Sequence, residues 1–378
     1  MANVLTDLAA DIYKAADIVG REQVGIVPSI TINAGSQAVA QGDVIRSHFT
    51  RTATVGTVTP AMTIPEGTDQ TVDNKTMTLD TTASVKIPWT GEDMKHVNNG
   101  SGFETIYGDQ IRQAMRSITN QIETQVGAAI YQGASRAYGT AGTTPFASNF
   151  NEIANLRKIL VDNGCPMDGQ VTMAINSIAG VNLRNLAQLQ KVNEAGSEEL
   201  LRRGELLNLQ GLMLKESAGI ADHTKGSGTS YLLSAAGSIG DTTISVDTGS
   251  GTIVAGDVIT IAGDTNKYVV TSALAGGSFT IGAPGLLVAA ADNAAVTVGN
   301  SFTGNVAFHR AAVELGMRPM AQPNGGDAAV DRMTVQDPFS GLVFEIAAYK
   351  GYNKAMFDVS CLYGYKVWKD DFVATLLG

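Results

Sequence analysis

Between residues 103 and 131 apolar side chains recur every three or four positions, with no proline to break the pattern: Ile111, Met115, Ile118, Ile122, Val126 and Ile130. That spacing places them on one face of an α-helix. At 1.5 Å per residue such a helix is roughly 43 Å long. Its polar face carries Arg112, Arg116, Asn120 and Glu123. Few compact enzymes need one isolated helix of this length, whereas a flat, extended subunit does.

Ahead of this spine, residues 4–20 read as an amphipathic helix, with Leu5, Leu8, Ile12, Ala15 or Ala16, and Val19 on one stripe and Gly20 as its stop. A short terminal helix needs something to cover that stripe, either its own domain or a neighbouring subunit. Residues 51–88 read as a long hairpin. Met77, Leu79, Val85 and Ile87 keep one parity, the period-2 signal of a strand, and residues 53–59 supply a Thr-rich partner. Pro65-Glu66-Gly67-Thr68-Asp69 and Asp73-Asn74 supply turn chemistry between them. A two-stranded ribbon is marginal alone, so the hairpin is expected to lie on another surface.

Residues 149–222 alternate helix and strand. A helix over 152–161 follows a cap at Asn149, a strand covers 171–175, and a second helical stretch covers 181–189. The composition then changes. Residues 227–300 contain no Arg, Glu, His, Cys, Met or Trp; Lys267 is the lone cation against Asp241, Asp247, Asp257, Asp264 and Asp292. Alternating runs at 243–246, 257–261, 267–271, 279–281 and 295–298 are separated by turns such as Thr248-Gly249-Ser250-Gly251 and Gly263-Asp264-Thr265-Asn266. Short strands with frequent turns imply a small β-barrel or sandwich, inserted into the surrounding chain. Residues 301–378 are β-rich. Residues 305–314 read as a strand or short helix, 342–349 and 356–363 as an antiparallel pair, and 363–368 continue into 372–377.

Composition removes several classes. The 378 residues are enough for two or three domains by length alone. Hydrophobic residues make up 44% and mean hydropathy is +0.05, enough for a real core. No apolar run approaches the length of a membrane span, and Met1-Ala2-Asn3-Val4 lacks the basic start of a secretory signal. Cys165 and Cys361 make neither a disulfide scaffold nor a zinc ribbon. Twenty-six basic against 36 acidic residues give a net charge of -10, which argues against tight sequence-independent DNA binding. The class is a soluble, acidic protein of intracellular type.

No catalytic constellation emerges. The chain has no phosphate loop, no GxSxG elbow and no HExxH pair, and Gly249-Ser250-Gly251 fits a hairpin turn better than a dinucleotide site. His48, His96, His223 and His309 stand singly and suit polar-surface or hydrogen-bonded roles. Cys165 has no sequence-local base, and Cys361 reads as a small buried hydrophobe. Calcium needs six to eight oxygens from a compact loop. The insert's aspartates are spaced at successive turns, and turn chemistry explains Asp241, Asp257 and Asp264 equally well. Arg202-Arg203, Arg157-Lys158 and Arg112/Arg116 lack aromatic interleaving and read as solvated faces. The expectation is a non-enzyme without metal or cofactor. Asp264 and Lys267 at loop tips are instead candidates for intersubunit ion pairs.

Several loose anchors occur in a set order: the stretch 107–131; Arg203-Gly204 followed by Leu209-Gln210-Gly211-Leu212; Asn305-Val306-Ala307-Phe308-His309-Arg310-Ala311-Ala312-Val313; and 342–365. Together with the succession of arm, hairpin, spine, α/β unit, barrel insert and returning strands, this resembles the major capsid proteins of tailed bacteriophages, the α+β Johnson fold. Within that fold it is most similar to the short-tailed-phage coat proteins that carry an inserted β-barrel.

The resemblance implies an arm over 1–50 and an extended hairpin loop over 51–90, both reaching neighbouring subunits. It implies a peripheral domain from 91–140 and 345–378, an axial domain from 141–226 and 301–344, and an outward insert over 227–300. Leu5, Leu8, Ile12, Glu66, Asp69, Asp73, Lys75, Asp264 and Lys267 are then the candidate intersubunit contacts. The implied partners are further copies of the chain in hexamers and pentamers, a portal protein, a decoration protein and weakly held double-stranded DNA, with no membrane. The implied location is the virion capsid, assembled in the host bacterial cytoplasm. The insert is shorter than the family's familiar form, and no charged coiled coil precedes the arm, so a separate scaffolding protein is expected. The competing reading is a β-rich phage tail or surface protein whose barrel is a binding module.

Overall fold

The computed structural model describes residues 22–35, 37–50, 55–64, 72–97, 103–190, 208–338 and 340–378. Leu5, Leu8, Ile12, Glu66, Asp69 and the run Arg202-Arg203-Gly204 lie outside the described residues.

The predicted spine is a 30-residue helix, Phe103–Gln132. Ile118, Ile122, Val126 and Ile130 are buried along it. They share one core with Trp89, Phe344, Val359 and Tyr363 of one sheet and with Ala137, Val306, Phe308 and Leu377 of another. Burial of each such aliphatic side chain contributes about 1.5–3 kcal/mol. The helix therefore gains its stability by serving two sheets at once.

The first sheet has six strands. Lys354–Val367, 14 residues long, lies at its centre. Thr81–Thr90, Val343–Gly351 and Val313–Arg318 all pair antiparallel with this strand. Thr31–Ala34 adds parallel to Val313–Arg318, and Ala329–Gln336 adds antiparallel to Val343–Gly351 as the other edge.

The second sheet runs in the order Arg136–Gly139, Val373–Leu377, Phe302–His309, Val171–Ile175, Leu212–Glu216 and Asn208–Leu209. Helices Asn151–Asp162 and Ser177–Asn185 bury Ile153, Leu156, Leu160, Ala179 and Leu183 in a second core with this sheet. Gln210 and Gly211 take positive φ values of 52° and 83° to turn the last two strands.

The insert closes into a six-stranded barrel. Around it run Val258–Ile261, Ala295–Val298, Tyr231–Leu233, Thr243–Asp247, Ser278–Ile281 and Lys267–Ala275, which pairs back with Val258–Ile261. Alternation turns Ile244 and Val246 inward to a third core with Ile259, Tyr268 and Phe279. The barrel is not separate from the body: Lys267–Ala275 also pairs with Arg136–Gly139.

Four local expectations are corrected. The hairpin strands are Val44–Thr50 and Val72–Thr78; residues 55–59, predicted as strand, belong to none, and Asp73-Asn74 sit in a strand, not a turn. The run 77–87 is not one strand. Val72–Thr78 ends, Leu79 N donates to the Asp43 carbonyl while its own carbonyl accepts from Gly42 N, and Thr81–Thr90 joins the six-stranded sheet. Parity continues across this break, because Met77, Leu79, Ala83 and Ile87 are all buried. The second helical stretch begins earlier, at Ser177, where the Asn176 side chain accepts from Ala179 N; the first begins at Asn151, whose N–H donates to the Asn149 side chain at 2.9 Å. The 363–377 tail changes sheets: Lys354–Val367 belongs to the first, Val373–Leu377 to the second.

Candidate functional site

Two buried carboxylates organise the molecule, and neither was assigned that role from sequence. Glu123, placed on the polar face of the spine by its spacing, is only 1% exposed. Its Oε1 accepts from Gly25 N at 2.8 Å, Ile26 N at 2.7 Å and Ser217 Oγ at 2.6 Å, and its Oε2 from Val27 N at 2.8 Å. A carboxylate with four donors replaces its lost hydration. Two turns earlier Arg116 grips Glu22 through both carboxylate oxygens. The Arg116 guanidinium, helped by Asn120, lowers the Glu22 carboxyl to about 2. The chain is thus clamped to the spine over residues 22–27.

Asp257 is the second. Its Oδ1 meets His223 Nε2 at 2.9 Å, its two oxygens accept from Gly226 N at 3.0 and 3.2 Å, and Oδ2 accepts from Val254 N at 2.8 Å. His223 also faces Tyr131 at the end of the spine, 5.5 Å between ring centroids. This cluster ties the barrel to the body. Turn chemistry at Asp257 was legible, because Val254 lies three residues back; its reach to residues 223 and 226 was not.

Of the candidate contacts inside the described residues, Asp73 lies in the strand Val72–Thr78, opposite Phe49. Lys75 Nζ donates to the Trp368 carbonyl. Asp264 accepts from Asn266 and from the Tyr268 hydroxyl, and Lys267 donates to the Gly139 carbonyl. These last three side chains have partners within the chain. Among the described candidates, Lys75, Asp264 and Lys267 each bond a different part of the chain.

The exposed apolar surface lies elsewhere. Val55, Val58, Met62 and Ile64 are each at least 95% exposed, in a stretch between the hairpin strands. Sequence gives no direct signal for this, since four apolar residues among threonines and prolines read equally well as a half-buried strand. Single exposed apolar residues need no explanation, but four in ten residues mark a surface meant to be covered.

Reactive chemistry has little foothold. Burial pushes the Cys361 thiol up to about 12 and Cys165 to about 11, which suppresses the thiolate. His309 accepts from Ala311 N through Nδ1 and faces Asp168 through Nε2. Among the described residues no three His, Cys, Asp or Glu side chains gather as a metal site. The insert aspartates serve separate turns: Asp241 accepts from Ser238 N, Asp264 from Asn266 N. A polar cleft of about 500 Å³ lies between the barrel turn at Thr265–Lys267 and the helix residues Glu152, Asn155 and Lys158. Lys158 pairs with Asp162, Arg157 with the Gln210 carbonyl, and Arg112 with Asp109. The basic pairs inside the described residues, Arg157-Lys158 and Arg112/Arg116, are thereby held by this chain's own groups. No described helix is long and apolar enough to cross a membrane.

No family model matches the chain, and no curated protein matches it in sequence. Solved structures do match it in shape. One from the capsid of the cyanophage P-SCSP1u has a TM-score of 0.55 at 12% identity, over 98% of this chain and 93% of that one. One from Mycobacterium phage Che8 has a TM-score of 0.52 at 12% identity, over 99% and 98%. One from the mature capsid of bacteriophage PhiM1 has a TM-score of 0.50 at 13% identity, over 100% and 97%. The likeness is one of fold, and it covers nearly the whole of each chain: the protein has the Johnson fold.

Proposed function

We propose that this chain is a major capsid protein, the repeating subunit of the icosahedral shell around the double-stranded DNA of a tailed bacteriophage. One observation carries the reading: the chain matches structures from phage capsids over 98% and 100% of its length. The exposed stretch 55–64 supports it. Burying four such side chains against a neighbour gains about 1.5–3 kcal/mol each. Much of that gain is offset by ordering the two partners, so each contact stays weak and a shell needs many of them.

In this reading residues 1–50 are the arm, whose last strand Val44–Thr50 forms one side of the hairpin, and 51–90 are the extended loop, whose last strand Thr81–Thr90 roots it in the six-stranded sheet; 91–140 with 345–378 are the peripheral domain, 141–226 with 301–344 the axial domain, and 227–300 the outward insert. Leu5, Leu8, Ile12, Glu66, Asp69 and Asp73 are proposed contacts with neighbouring copies. Lys75, Asp264 and Lys267 shape those surfaces from within. A separate scaffolding protein directs closure, and a portal protein and a decoration protein complete the particle. Assembly takes place in the host bacterial cytoplasm. The charge of -10 keeps contact with packaged DNA weak.

Electron microscopy and light scattering of the purified full-length chain at tens of micromolar test the reading. Shells, partial shells or spirals of many subunits are expected. A stable monomer overturns it, and open tubes favour a tail or surface protein.

A further inference from the structure

The polar cleft between the barrel turn and the helix Asn151–Asp162 holds two buried atoms that the chain leaves unused. Arg136 is 3% exposed and lines the cleft from the strand Arg136–Gly139. Its Nη2 donates to the Ile159 carbonyl at 3.3 Å and to Asn163 Oδ1 at 2.7 Å, yet its Nε has no hydrogen-bond partner among the described residues. Glu152 lines the same cleft from the helix, and its Oε2 is likewise buried without a partner among the described residues. A buried donor or acceptor left unpaired costs about 1–3 kcal/mol. A donor and an acceptor left so on one cleft point to a ligand that satisfies both.

Charge narrows the identity of that ligand. Lys158 is paired with Asp162, and Lys267 is bonded to the neutral Gly139 carbonyl. Arg136 and Lys267 against Glu152 leave one net positive charge on the walls, which favours an anion. The anion must also give a hydrogen bond, because an ionised carboxylate only accepts. Sulfate and carboxylates carry no proton near neutral pH, and neither does a phosphodiester. A phosphate monoester has a second pKa of about 6, so near that pH about half of its molecules keep a proton to give. Its other oxygens accept from the guanidinium in strong, charge-assisted bonds. The cleft's volume of about 500 Å³ exceeds that of bare phosphate and suits a small organic ligand. Asn155 and Asn266 on its walls match a hydroxyl-bearing remainder.

We propose that this cleft binds a phosphate monoester, with Arg136 donating to the phosphoryl oxygens and Glu152 accepting from the P–OH group. Bound there, the ligand bridges the strand Arg136–Gly139, the helix and the barrel turn within one subunit, whatever the chain assembles into. Titration calorimetry of the dilute full-length protein, at a pH of about 6 where the monoester keeps its proton, tests it. Methyl phosphate is the probe, with sulfate and dimethyl phosphate as comparators at equal ionic strength. Methyl phosphate is expected to bind at one site per chain, about tenfold or more tighter than either comparator, the worth of one hydrogen bond to a charged group. Glu152→Gln supplies an amide that can donate, so it should bring methyl phosphate and sulfate within about threefold of each other. Arg136→Met should abolish binding of both. Equal affinity of the wild-type chain for methyl phosphate and sulfate means adventitious ion binding and overturns the proposal. No binding at millimolar probe, or an unchanged preference in Glu152→Gln, overturns it as well. Should Arg136→Met fail to fold, the preference of Glu152→Gln decides alone.

Discussion

The barrel and the hairpin solve opposite problems. The barrel is built from short strands with small side chains, yet it encloses its own core of Ile244, Val246, Ile259, Tyr268, Phe279 and their neighbours. The hairpin has two seven-residue strands but encloses nothing of its own. Its buried residues, Met77 and Leu79, sit beneath Gly316, where a Cβ would come within 2.7 Å of Met77. Beyond that base Val55, Val58, Met62, Ile64 and Val72 face outward. A closed sheet can hold its own apolar surface; an open ribbon lends that surface to whatever it meets.

The comparison can be broken most forcefully at the barrel's tie. Asp257→Ala strands His223 and the N–H groups of Gly226 and Val254. A loss of about 3–5 kcal/mol is expected, as for other buried pairs deprived of one partner. Urea unfolding followed by circular dichroism reads it, and a midpoint close to wild type would remove Asp257 from its organising role. Inside the barrel, Ile259→Ala opens a cavity at a fully buried site and costs about 2–5 kcal/mol in the same measurement.

The hairpin should behave in the reverse manner. Val58→Asp changes the stability of the lone subunit by no more than about 0.5 kcal/mol, as at other exposed sites. It should nevertheless prevent multi-subunit particles in light scattering. Normal particles from Val58→Asp would show that residues 55–64 are not a covered surface.

The smallest effect concerns Asp370, in the turn that carries the chain from one sheet to the other. Burial raises the Asp370 carboxyl above its ordinary range, with Asp371 adding to the shift and Lys75, Ala283 and Lys366 opposing it. A raised folded-state value means that the folded form holds its proton longer than the unfolded one. This contribution to stability is therefore complete below the unfolded value of about 3.9 and falls away as pH rises toward the folded value. Asp370→Asn lacks that titration, so its melting temperature relative to wild type should rise between pH 3.5 and pH 7. A constant difference across that range would contradict the assignment.

Much of the architecture was legible because it rests on periodicity. The spine's six spaced residues, the strand 171–175 and the alternation within the insert all follow from a repeat that burial imposes. What escaped was polar burial. Glu123 neighbours the apolar stripe at Ile122 and reads as solvated, yet the chain at 25–27 covers it, 96 residues or more away in sequence. Hydropathy counts a carboxylate as outward-facing, and only a long-range contact can reverse that. The hairpin misled for a related reason. Its return strand and Thr81–Thr90 keep one parity although they pair with different partners, because both place alternate residues against protein. The role of Asp264 was ambiguous for a third reason: a charge near a turn tip serves its own turn as readily as a neighbour.

The strand Arg136–Gly139 has Val373–Leu377 on one side and the barrel strand Lys267–Ala275 on the other. Excision of 227–300 would therefore not leave a finished body behind. It would strip one flank of that strand and bare backbone donors and acceptors, the kind of raw edge that recruits other chains indiscriminately. The insertion is in this sense a selvedge: the weave of the larger sheet ends in it. Any shortened version of the protein would need a new border at Arg136–Gly139 before it could remain soluble.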